Sequence, residues 1–94
     1  MDELQQRWEK FTALPFPASA HVSDMPLEMI DATIAGCVST FFTTGTIEPE
    51  NLSKLQESRD ILASEFEKIP EDAQAYFHAL LEMADLLLKT ETVL

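Results

Sequence analysis

Few residues of this 94-residue chain are of types that do chemistry, and their neighbours decide what each can do. The histidines are His21, inside the proline-rich stretch LPFPASAHVSD, and His78, on the polar strip of an otherwise apolar helical segment. Neither has a sequence neighbour that would complete a metal or general acid–base pair, so both read as solvated imidazoles. Cys37 falls on the inward side of its segment, with no cation nearby along the chain to lower its pKa, which makes it a small core residue rather than a nucleophile. A lone cysteine excludes an internal disulfide and a cysteine-based zinc cluster. A di-iron bundle needs paired Glu-x-x-His motifs, and neither histidine is preceded by one. With two glycines and no glycine-rich loop, phosphate-cradling fingerprints are excluded as well. The expectation is a protein with no catalytic residue, no cofactor and no metal.

What remains is charge. Seventeen Asp and Glu face six Lys and Arg, a net charge of −11. Six scattered cations cannot assemble a basic stripe, so direct nucleic-acid binding is not expected. By helical angle, Glu57, Asp60, Glu67, Glu82 and Asp85 all fall on solvent faces. Such rows either solubilise the chain or recognise a basic protein, since carboxylates steer association. Arg59 is more informative: its angle sets it among Leu52, Leu55, Leu62, Ala63 and Phe66, where a guanidinium must find a partner or reach water. The structural expectation is a bridge to Asp31, at the edge of another apolar face; the functional alternative is an interface-facing arginine. Phe16, held between Pro15 and Pro17, either pins its loop to the core or protrudes as a binding anchor. These seven residues, Glu57, Asp60, Glu67, Glu82, Asp85, Arg59 and Phe16, are the candidate protein-binding set.

The elements that must position them are helical. Leu4, Trp8 and Phe11 share one face of a first helix over 2–14, opened by Asp2. Residues after Leu14 should cross the surface without regular structure, because Pro15 and Pro17 remove donors. Ser23 or Asp24 caps a second helix over 24–44 that ends on Gly45. Its stretch 36–47 favours helix by spacing, although the β-branched run Val38–Thr46 leaves partial strand as the alternative. Pro49 opens a third helix over 49–69, and Pro70 turns the chain into a fourth over 70–90. The short turn makes helices 3 and 4 antiparallel neighbours. The fold class is all-α, a single domain over 1–94 built as a bundle of about four helices.

At 46% hydrophobic residues, the chain has enough apolar material for a core. Its longest uncharged run, Ala32–Ile47, is shorter than the ~20 residues of a membrane span and rich in hydroxyls, so no membrane is expected. The charged opening MDELQQRWEK lacks the pattern of a secretory signal, which points to the cytoplasm. The apolar faces of helices 2 and 4 are wider than one neighbour can cover. Two functions fit. One is a small acidic non-enzymatic protein-binding module of inhibitor, immunity or adaptor type, with a basic protein as partner. The alternative is a homo-oligomer, a homodimeric helical bundle whose acidity only keeps it in solution. An enzyme or small-ligand carrier would need a pocket near Arg59 or His78 and has little motif support.

Overall fold

A computed structural model describes residues 3–22 and 26–92. The expected caps Asp2, Ser23 and Asp24 lie outside the described residues. Among the described residues there are four α-helices: α1 (Glu3–Thr12), α2 (Leu27–Thr44), α3 (Pro49–Ser64) and α4 (Gln74–Thr92). Among the described residues there is no strand, and the β-branched end of α2 is helical to Thr44. The reason is local. Thr43 and Thr44 donate their hydroxyls to the carbonyls of Ser39 (3.1 Å) and Thr40 (3.0 Å), so these side chains are satisfied within the helix. Gly45 then closes the helix at φ 82°, its N–H bonding to Phe41 O at 2.7 Å.

Against the sequence expectation, α1 closes at Thr12 rather than residue 14, α2 opens at Leu27 and α4 runs to Thr92 rather than residue 90; three further differences have a local cause. The helix expected over 49–69 ends at Ser64 and continues as a 3-10 turn, Phe66–Lys68, because Ile69 precedes Pro70 and takes an extended backbone (ψ 133°). Pro70 is itself extended (ψ 140°), and a second 3-10 turn, Glu71–Ala73, leads into α4 rather than α4 starting at residue 70. The segment expected to lack regular structure holds a third 3-10 turn, Ala18–Val22; beyond Pro17 the donors return, and Ala20 N–H reaches Pro17 O at 3.1 Å.

α4 is the central element and packs against all three other helices. Its Phe77, Leu80, Met83, Ala84 and Leu87 are sealed from solvent, facing Ile34 and Val38 of α2 and Leu55 and Leu62 of α3, which are equally sealed. Each large side chain of this set contributes about 1.5–3 kcal/mol by leaving water. No charged or polar residue is buried among the described residues. The α3–α4 register is antiparallel. Phe66 lies edge-on to His78 at 6.1 Å, and Arg59 bonds Asp85, so seven positions back on one strand of the hairpin match seven positions forward on the other.

Candidate functional site

The carboxylates singled out by the sequence separate into two groups. Glu82, Asp85 and Asp60 are engaged by arginines. Arg59 donates from Nε to Asp85 Oδ1 at 2.6 Å and from Nη1 to Asp60 Oδ1 at 3.2 Å. Arg7 donates to Glu82 Oε1 at 2.7 Å and to Glu3 Oε2 at 2.8 Å, so it fastens α1 to α4. Both guanidiniums are held above their ordinary basicity, Arg7 first by its hydrogen bond to Glu3 and Arg59 first by its bond to Asp85. Glu57 and Glu67 belong to the second group: both are exposed, and among the described residues neither is joined to a cation.

The expected Asp31–Arg59 bridge is replaced by two other contacts. Arg59 occupies the edge of α3 that faces α4, away from α2, so Asp85 reaches it. Asp31 instead accepts a hydrogen bond from Tyr76 Oη at 2.7 Å. Partial burial raises the Asp31 carboxyl above the usual range, and the Tyr76 bond opposes that rise. The Tyr76 phenol is held well above its ordinary value, mainly by burial and then by Asp31.

Phe16 folds inward. It meets Tyr76 edge-on at 5.5 Å and Phe77 at 6.0 Å and is half-buried, so it ties the proline segment to α4. His78 is exposed, 3.6 Å from Glu82 Oε1. Cys37 is buried, its Sγ directed at Asn51 O at 3.7 Å. Burial pushes its thiol up in pKa and outweighs the charge of Lys54, a neighbour from α3 that spacing along α2 could not reveal.

Sequence reasoning did not single out Arg7, although Glu3 one turn earlier is the readable signal of an ion pair. It also passed over the surface between α2 and α3. There a groove of about 280 Å³ runs past Met29, Thr33, Lys54, Glu57 and Ile61. It shares Thr33 and Lys54 with an adjoining depression of about 270 Å³ lined by Gly36, Thr40 and Asn51. Met29 is 70% exposed and Ile61 39% exposed, so large apolar side chains face water at this groove. Among the described residues no three His, Cys, Asp or Glu side chains are grouped to hold a metal ion, and no helix is long and apolar enough to cross a membrane. Compared with protein-family models, curated proteins and solved structures, the chain matches none.

Proposed function

We propose that this chain is a small acidic, non-enzymatic protein-binding module of inhibitor, immunity or adaptor type, acting on a basic protein in the cytoplasm. One observation carries the reading. Glu50 and Glu57, two turns apart on α3, and Glu67 in the turn that follows are exposed and, among the described residues, in no ion pair; Lys54 is the one cation between the first two, and the arginines are occupied elsewhere. Carboxylates already bound to arginine contribute little field. Unpaired ones raise the local concentration of a cationic partner and accept its hydrogen bonds without first breaking an internal bridge. Cys37, a free buried thiol, suits a reducing compartment.

The test is capture from extract of the native cell by the immobilised chain and by a Glu50→Gln/Glu57→Gln/Glu67→Gln variant, washed at low and high salt. The reading expects a basic protein held by the wild type at low salt, released at high salt and not retained by the variant. Equal retention by wild type and variant removes the acidic strip from the function, and so does capture of nothing above the bare support.

A further inference from the structure

Two rows of residues border the open groove between α2 and α3. On α2 the row is Met29, Thr33, Gly36 and Thr40; on α3, running the opposite way, it is Ile61, Glu57, Lys54 and Glu50. Both rows follow the helical spacing i, i+4, i+7, i+11, one residue per turn over about 16 Å. The two depressions of the groove show how the rows face each other. Met29 and Ile61 line one end, Thr33 shares the middle with Glu57 and Lys54, and Gly36 and Thr40 lie across from Lys54 and Asn51.

The groove is therefore graded along its length. At one end two large apolar side chains stand in water, Met29 70% exposed and Ile61 39% exposed. Beyond them the α2 row carries no charge, while the α3 row alternates carboxylate, ammonium, carboxylate. Glu50, Lys54 and Glu57 are all exposed, and among the described residues none of them is in an ion pair. The pattern defines its complement: a large apolar side chain at the end formed by Met29 and Ile61, then a cation on Glu57, an acceptor on Lys54 and a second cation on Glu50. A helix repeats its side chains at the same one-turn interval, so one helical face supplies all four. A second copy of the chain does not. Laid antiparallel, its row sets Glu50 on Ile61, a carboxylate against an apolar end; laid parallel, it sets Glu57 on Glu57.

We propose that the groove between α2 and α3 receives a basic amphipathic helix of the partner protein, its apolar anchor seated between Met29 and Ile61 and its lysine or arginine side chains on Glu57 and Glu50, with Lys54 fixing the register. The inference rests on the acidic-strip reading, since Glu50 and Glu57 belong to that strip. It adds the groove, the form of the partner segment and the order of its side chains.

The probe is an acetylated, amidated alanine-based helical peptide bearing leucine, lysine, glutamate and lysine at successive turns of one face. A control of identical composition exchanges the leucine with the glutamate. Each is titrated into the full chain at low salt, with affinity read by fluorescence anisotropy and position by the methyl resonances of Met29 and Ile61. The first peptide should bind at least tenfold more tightly than the control and shift both methyls. Met29→Gln/Ile61→Gln and, separately, Glu50→Gln/Glu57→Gln, each with helical circular dichroism unchanged, should weaken it at least tenfold. Leu14→Gln, at an exposed apolar position away from the groove, should not. Loss in the carboxylate variant alone overturns the groove and leaves the acidic strip standing. Loss in the Met29/Ile61 variant alone, or in neither, takes the carboxylates out of binding and overturns both. A wild type that binds neither peptide, equal affinity for the two, or methyls that do not move also overturns the proposal.

Discussion

Arg59 Nε donates to Asp85 Oδ1 at 2.6 Å, joining α3 to α4 across 26 positions of sequence. The guanidinium lies on the apolar edge of α3, with its side chain 33% exposed and that of Asp85 49% exposed. A pair this wet is screened, and its two side chains lose rotamer freedom to hold one geometry. Arg59→Met keeps the apolar stem against the core. Unfolding in urea should therefore change by no more than about 1 kcal/mol, with an unchanged denaturant slope. A loss above about 2 kcal/mol would mean that α3 and α4 depend on the bridge itself. Retained stability with lost capture of a partner would instead assign Arg59 to binding.

Tyr76→Phe tests the other long-range polar contact. Removing the hydroxyl leaves the half-buried Asp31 carboxylate without the donor that offsets its burial, which should cost about 1–2 kcal/mol at pH 7. The sign with pH follows from the direction of the shift. Asp31 is raised in the folded state, so the folded protein binds the proton more tightly than the unfolded chain does. The carboxylate's cost is therefore fully present above the raised value and disappears as pH falls toward the ordinary ~3.9 of an unfolded aspartate. In Tyr76→Phe that cost is larger, so acidification should relieve it more. Urea titrations at pH 7, 5 and 4 should show the gap between wild type and variant narrowing; a gap that holds constant or widens would contradict a charged Asp31 at neutral pH.

Phe16→Ala should act on stability. The ring is half-buried against Tyr76 and Phe77, so truncation should cost about 2 kcal/mol, below the full-burial range. Hydrogen exchange locates the effect. The Ala20 amide, bonded to Pro17 O in the turn that Phe16 anchors, should lose protection before the amides of α4 do. A variant of unchanged stability and unchanged Ala20 protection would make Phe16 a surface residue.

The helices were legible because their ends carry backbone chemistry that acts locally: Pro49 at the start of α3, Gly45 at the end of α2, and Pro70 forcing Ile69 out of helix. The inward faces were legible for the same reason, since 100° per residue places Phe77, Leu80, Ala84 and Leu87 on one side of α4 whatever packs there. Pairing between helices is another matter. An angle on one wheel put Arg59 at an edge, but whether that edge meets Asp31 or Asp85 depends on the order of helices around the core, which no single helix encodes. The proximity of Lys54 to Cys37 and the open groove beside Met29 were hidden for the same cause. The turn at Ala18–Val22 escaped because two prolines suggested an irregular segment, although neither constrains the donors beyond Pro17.

The two glycines give a matched pair of substitutions on one helix. Neither has a heavy atom within 4 Å of where a Cβ would stand, so alanine at either position changes backbone energetics and little else in the monomer. At Gly45 the backbone is left-handed, φ 82°, and alanine there should cost about 1–2 kcal/mol. Asparagine, which tolerates that conformation better, should restore part of the loss. At Gly36 the backbone is regular helix, and alanine should gain up to about 1 kcal/mol through propensity. Thermal unfolding at low micromolar concentration, where association contributes least, should therefore move the midpoints in opposite directions. Destabilisation by Gly36→Ala would mean that the space above Gly36 is filled within the chain, against the open surface that the backbone presents there.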